Sequence, residues 1–172
     1  MIRKKIRVLD LGTGSGAIGL SLAKERANWE VVCSDLSYEA LKVTFKNMIR
    51  NSLDVSLVNS NWSSAFKNEY FDVIVSNPPY INPSDPRVYS DGLKFEPKQA
   101  LISDAEGLYD IERIVKETSE ILNNNGYLFI EHGYVQSDLV VSIFESCGFS
   151  KIRTFKDLNG DDRVCLGILN RC

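Results

Sequence analysis

Residues 6–27 read IRVLDLGTGSGAIGLSLAKERA. The opening IRVLDL (6–11) is a short apolar run ending in glycines, the pattern of a buried strand. AIGLSLAKERA (17–27) then sets Ile18, Leu22 and Ala23 at helical spacing. Between them lies D-x-G-x-G-x-G, with Asp10, Gly12, Gly14 and Gly16. A strand that runs through a glycine-rich turn into a helix is the start of an alternating α/β unit, and the rest of the chain continues it.

EVVCSD (30–35) predicts a second strand and SYEALKVTFKNMIRN (37–51) a second helix, with Ser37 as its cap and Glu39 in its first turn. DVSLVNS (54–60) and YFDVIVS (70–76) predict two further strands. Downstream come a helix near 108–122, the strand GYLFIEH (126–132), a helix near 135–147, and strands around 149–155 and 163–169. Strands alternating with helices imply a mostly parallel sheet covered on both faces. The last two strands are separated by little more than NGDD, between Leu158 and Arg163, and so pair as an antiparallel hairpin. With no repeat, low-complexity stretch or linker, residues 1–172 are expected to form one doubly wound, Rossmann-like α/β domain. Residues 81–106 show no period, and loops of this length are usually functional or disordered. This one leaves the carboxyl end of a strand, where open α/β sheets bind their ligands.

Composition narrows the function classes. The chain has 172 residues, 44% hydrophobic and 25% charged, ordinary for a globular protein able to bury its own core. No apolar run approaches the ~18 residues of a membrane span and no charged-then-apolar leader precedes the first strand, so a cytoplasmic protein without membrane contact is expected. A net charge of −3 and a pI near 5.3 argue against a direct nucleic-acid partner. The basic cluster Arg3, Lys4, Lys5 and Arg7 reads as a solvated lead-in to the first strand. Cys33, Cys147, Cys165 and Cys172 form no C-x-x-C pair, and His132 is the one histidine. They read as reduced, mostly buried thiols, with neither a metal site nor a disulfide framework. A monomer is expected.

Gly12, Gly14 and Gly16 allow a tight turn and close approach of backbone to a ligand, with free N–H groups at the helix start. The loop also fits G-x-G-x-x-G at Gly14, Gly16 and Gly19, but that register comes late after the strand. The Asp10 carboxylate would repel a pyrophosphate and attract the ammonium of an amino-acid moiety. The pattern therefore favours S-adenosylmethionine over a nicotinamide cofactor, with Thr13 and Ser15 in the same loop. Asp35, at the end of the second strand, is placed to accept from both ribose hydroxyls; otherwise it caps the helix that follows. Trp62 can lay its indole against an adenine or serve as core.

VIVSNPPY (73–80) is the second decisive stretch. Two adjacent prolines fix φ and donate nothing, and Asn77 before them is held extended. The Asn77 side-chain oxygen and the Pro78 carbonyl are thus two convergent acceptors on a stiff turn. An amide or exocyclic –NH₂ is a poor nucleophile until both N–H bonds meet acceptors and the nitrogen loses planarity. The turn suits that task, with Tyr80 placed to stack on the flat acceptor group and no separate base required.

DLGTGSGAI, the SNW segment, VSNPPYI, KFEP with AL, EGL, E-H-G-x-x-Q and KDLNGDDRV together resemble the catalytic domain of the HemK (PrmC) family, from about Arg7 to Gly167. Members methylate the glutamine side chain of peptide chain release factors, in a GGQ motif. The resemblance implies a seven-stranded S-adenosylmethionine-dependent methyltransferase fold with a reversed final strand. It implies cofactor contacts at Gly12 to Gly16, Asp35, Trp62 and Asn77, and substrate contacts at Asn77, Pro78, Pro79 and Tyr80. Two features depart from the family. Asn61 stands where an aspartate is usual, and the sequence starts only nine residues before Asp10, short of the amino-terminal helical domain of bacterial members, so a catalytic-domain fragment or a naturally short form is expected.

Other readings of the same residues are a nucleic-acid amino-group methyltransferase using the same turn, an inactive cofactor-binding remnant, and a nicotinamide oxidoreductase. Glu96 either orients the long loop or is a solvated acid before Pro97. Glu131 and His132 read as a hydrogen-bonded structural pair, with a catalytic acid–base pair as the alternative, and Asp161, Asp162 and Arg163 read as salt-bridge formers.

Overall fold

β1 (Arg7–Leu11) alternates its side chains between two packed layers, and that alternation organises the molecule. Val8 joins one apolar cluster with Leu20, Val31, Cys33 and Val55. Leu9 and Leu11 join the other, with Ile74, Ile111, Ile114, Leu128, Ile130 and Phe144. A strand buried on both faces must be central, and β1 lies mid-sheet.

The computed structural model describes residues 5–66, 70–82 and 101–171. Arg3, Lys4, Glu96 and Cys172, singled out in the sequence, lie outside these. The order is β1, α1 (Ala17–Glu25), β2 (Glu30–Asp35), α2 (Tyr38–Arg50), β3 (Ser56–Asn59), β4 (Phe71–Ser76), α3 (Asp104–Gly107), α4 (Tyr109–Ile121), β5 (Leu122–Glu131), a 3-10 turn at Tyr134–Gln136, α5 (Ser137–Ser146), β6 (Phe149–Lys156) and β7 (Asp162–Leu169). The seven strands form one sheet, ordered β3-β2-β1-β4-β5-β7-β6. β1 to β5 pair in parallel, and β7 runs antiparallel to both β5 and β6. The expected seven-stranded doubly wound sheet with a terminal hairpin is therefore present, with β7 inserted between β5 and β6.

Local chemistry explains most element ends. Ser37 caps α2, its Oγ accepting from the Ala40 N–H at 3.2 Å, and Glu39 pairs with Lys42 at 2.7 Å. β5 starts four residues before the expected strand. Leu122 already pairs with Phe71, and the register then shifts before Tyr127, with Asn125 at a φ of 62°. Along the edge strand β6, Lys151 sits at a φ of 51° where the register with β7 slips, and with exposed Arg153 and Lys156 it blunts the edge.

α4 and α5 cover one face of the sheet through Ile111, Ile114, Val115, Val140 and Phe144, all fully buried. α1 and α2 cover β1, β2 and β3 on the other. On that second face, β4, β5 and β7 keep apolar side chains half exposed. Phe129, Val164 and Leu166 are of intermediate exposure, Tyr127 is 42% exposed, and Val73, Val75 and Trp29 help line a recess of ≈ 310 Å³. Of the four thiols, Cys33 and Cys165 are buried and, like half-buried Cys147, free. Among the described residues no helix is long and apolar enough to cross a membrane, and no group of His, Cys, Asp or Glu could hold a metal ion.

Candidate active site

The loop after β1 is shaped by three left-handed glycines, Gly12, Gly14 and Gly16, at φ of 69°, 59° and 84°. Side-chain-bearing residues rarely adopt such angles, so the spacing of the glycines follows from the turn. Its carbonyls are held from α2: the Thr44 hydroxyl donates to the Gly14 oxygen and the Asn47 amide to the Ser15 oxygen, each at 2.9 Å. A Cβ on Gly14 would meet nothing within 4 Å, so this part of the backbone faces open space.

Asp10 faces inward, which alters the sequence reading of an outward attraction for an ammonium. It is 1% exposed, and its Oδ2 accepts from the Thr13 hydroxyl at 2.6 Å and from the Gly19 N–H at 2.8 Å. Gly19 is the third residue of α1, so Asp10 supplies the cap that Gly16, lacking a side chain, cannot. Burial pushes its carboxyl above the usual range, while the Thr13 and Gly19 hydrogen bonds hold it down.

Asp35 ends β2 with both oxygens on backbone: Oδ2 accepts from the Gly14 N–H at 2.9 Å and Oδ1 from the Ser37 N–H at 2.8 Å. It thus joins the glycine loop to the start of α2, and each oxygen retains a lone pair for a further donor. Trp62, at a φ of 46°, lays its indole over Gly12, 3.1 Å from where a Cβ would stand. Its Nε1 donates to Asp110 at 3.3 Å. Glu117 anchors the same loop, accepting from the Ser63 hydroxyl at 2.7 Å, the Ser63 N–H at 3.2 Å and Arg113 at 2.7 Å. Burial opposes the Glu117 charge, but those partners hold its carboxyl below the usual range.

β4 ends beside β1, Ser76 opposite Leu11 with its hydroxyl donating to the Leu11 oxygen at 2.8 Å. Asn77 therefore emerges next to Gly12. It is exposed, and its side chain makes no hydrogen bond among the described residues, whereas Pro78 is buried and Pro79 and Tyr80 are half buried. Tyr80 donates its phenol to Glu131 Oε1 at 3.0 Å, and its carbonyl accepts from Gln136 Nε2 at 3.0 Å.

Glu131 and His132 do not form the hydrogen-bonded pair read from the sequence. Glu131 ends β5 and meets Tyr80, while His132, just past the strand and fully buried, places Nδ1 2.9 Å from the Gly133 oxygen. At the hairpin, Arg163 pairs with Asp157 at 3.2 Å and Lys156 with Asp162 at 3.4 Å. Asp161 contributes its N–H to Asp157. Gly107 and Gln136 had no role assigned from sequence, although both lie in segments, EGL and E-H-G-x-x-Q, that carry the family resemblance.

The family model described as "Methyltransferase small domain" matches residues 1–91. The release factor glutamine methyltransferase of Salmonella typhimurium is 40% identical over 168 residues, covering 95% of this chain and 60% of that protein. The protein of the same description from Buchnera aphidicola subsp. Schizaphis graminum is 44% identical, covering 96% and 61%. This chain thus spans about three-fifths of the length of the curated relatives it matches, and the resemblance stated from the sequence segments is borne out. Among solved structures, a methyltransferase from Pyrococcus furiosus superposes with a TM-score of 0.73 at 19% identity, covering 99% of this chain and 78% of that one. That likeness concerns the fold.

Proposed function

Because this chain belongs to the methyltransferase small-domain family, we propose that it transfers a methyl group from S-adenosylmethionine to the side-chain amide nitrogen of a glutamine in peptide chain release factors. The observation that carries this reading is Asn77: an exposed amide with no partner among the described residues, on a two-proline turn beside the glycine loop. The names of the relatives, release factor glutamine methyltransferases, point to the same acceptor.

The residues fit the cofactor. Gly14 offers backbone facing open space, the Asp35 carboxylate adjoins it with acceptor capacity to spare for a ribose diol, and the Trp62 indole flanks Gly12. When bound, the cofactor supplies an electrophilic methyl group. Gly12 to Gly16, Asp35, Trp62 and Asn77 would hold it, and Asp10 keeps the loop in shape from beneath.

The chain itself contributes position and charge. The Asn77 oxygen and the Pro78 carbonyl accept the two N–H bonds of the acceptor amide, orient its nitrogen and stabilise the positive charge that develops there until one of those protons passes to solvent and the neutral N-methyl amide is left. Preorganised acceptors do this without reorganising, and correct placement supplies several kcal/mol. Pro79 and the Tyr80 ring flank the same group. We read residues 1–172 as a catalytic domain acting as a monomer in the cytoplasm, on a protein and not on a nucleic acid.

The test is incubation with tritiated S-adenosylmethionine and either a release factor or nucleic acid, followed by location of the label. Label on a release-factor glutamine is expected; label only in RNA or DNA would overturn the reading. In the same assay Asn77→Ala should lower turnover by ~10²–10³, the usual cost of one preorganised partner. Asn77→Asp, which keeps the acceptor, should retain more activity than the alanine variant.

A further inference from the structure

Tyr80, the last residue of the amide turn, is gripped at both ends by one six-residue segment. Glu131 takes its phenol hydroxyl and Gln136 its main-chain carbonyl, each at 3.0 Å. Gln136 is 6% exposed and spends its whole side-chain amide on backbone. Nε2 also donates to the Glu106 carbonyl at 3.0 Å, and Oε1 accepts from the Gly133 N–H at 2.8 Å. Two donated hydrogens and one accepted one are what a primary amide supplies; a carboxylate there would face two carbonyl oxygens.

Gly107 closes the other side. It has a φ of 84°, and a Cβ on it would collide with the Tyr80 oxygen and stand 2.7 Å from the Tyr80 carbonyl carbon. The next residue is tied as well, the Ile81 N–H donating to the Leu101 oxygen at 2.9 Å and the Ser103 N–H to the Ile81 oxygen at 3.1 Å. Between Tyr80 and the end of β4 stand Asn77 and two prolines whose φ angles are locked, so the turn behaves as a stiff bar. A displacement at Tyr80 is then passed to the acceptors at the other end.

We propose that Gln136 and Glu131 are positioning residues that hold Tyr80 by its carbonyl and its phenol and thereby set where the Asn77 and Pro78 acceptors point. The proposal rests on the reading that this turn holds the –NH₂ to be methylated. Neither residue touches the reacting atoms; both act through Tyr80.

Three measurements on the full chain test it: kcat and KM with a glutamine acceptor, calorimetric affinity for S-adenosylhomocysteine, and the Tyr80 signal in a spectrum of ¹³Cζ-labelled tyrosine, assigned by its loss in Tyr80→Phe. Gln136→Met should lower kcat by roughly 10–100-fold, as small misplacements of positioned groups do, with cofactor affinity within about twofold and the Tyr80 signal displaced. Gln136→Glu keeps the contact to Gly133 but not the two donated hydrogens, and should do no better. Glu131→Ala should cost little more in a Tyr80→Phe background, because the two form one link. Wild-type kcat in either Gln136 variant, or loss of turnover and cofactor affinity in step with melting temperature, would overturn the proposal. The tyrosine spectrum needs no turnover. If the wild type transferred nothing to glutamine, the functional reading would fail on its own, while an unmoved Tyr80 signal in Gln136→Met would sink the grip.

Discussion

Tyr80 shows how one residue can carry a solution property that its neighbours create. Burial pushes its phenol up to about 12 from 10.0, and the charge and hydrogen bond of Glu131 push the same way, with Arg163 pulling back. Below pH 10 the folded and unfolded chains both keep this proton. Between pH 10 and about 12 the unfolded chain has lost it and the folded one has not, so rising pH favours unfolding. Stability should therefore fall across that window, and Tyr80→Phe should flatten the fall. Urea midpoints measured at intervals from pH 9 to about 12 decide this; equal slopes for the two proteins would show that Tyr80 titrates normally. At the same scale, Asp10 illustrates a carboxylate whose task is set by depth. At 1% exposure it accepts from the Gly19 N–H and caps a helix.

At the scale of the element, α1 rides so close to the sheet that its glycine is compulsory. Replacing a helical glycine by alanine ordinarily stabilises a helix, by about 0.8–1 kcal/mol in its interior. A Cβ on Gly19 would instead press on Cys33 Sγ and stand 2.9 Å from Asp10 Oδ2, both held by strands. We expect Gly19→Ala to cost about 1–3 kcal/mol through overpacking, reversing the propensity rule. Denaturant unfolding checks the sign, and a stabilised variant would mean that α1 can lift from β1 and β2 at little cost. The Asp10 cap would loosen with it. α2 obeys local rules more simply: Ser37 caps it, and its exposed face carries the Glu39–Lys42 pair.

Among the described residues the sheet is covered unevenly. Phe144 of α5 is fully buried and packs on Phe149 with ring centroids 5.1 Å apart, so Phe144→Ala should cost about 3–5 kcal/mol. Leu166 points from β7 to the opposite face, where its exposure is intermediate, and Leu166→Ala should cost under about 1 kcal/mol. Urea unfolding of the two variants under one set of conditions compares the two faces. Similar losses would contradict the half-exposed face of β4, β5 and β7.

Local patterns were enough to place most elements. β2 runs over Glu30–Asp35 as expected, α2 starts at the Ser37 cap, and the short NGDD connection specifies a hairpin, because alternation, helical spacing and turn length act between near neighbours. The glycine loop and the two-proline turn were legible for the same reason: their conformations follow from the backbones of glycine and proline themselves. Packing decided the rest. The insertion of β7 between β5 and β6, and the early start of β5 where Leu122 meets Phe71, depend on which strands lie side by side. So does the grip on Tyr80, whose Gln136 partner is 56 residues away. No periodicity joins those positions. They meet because parallel strands β4 and β5 deliver both segments to one edge of the sheet, and only the assembled sheet brings them within hydrogen-bonding distance.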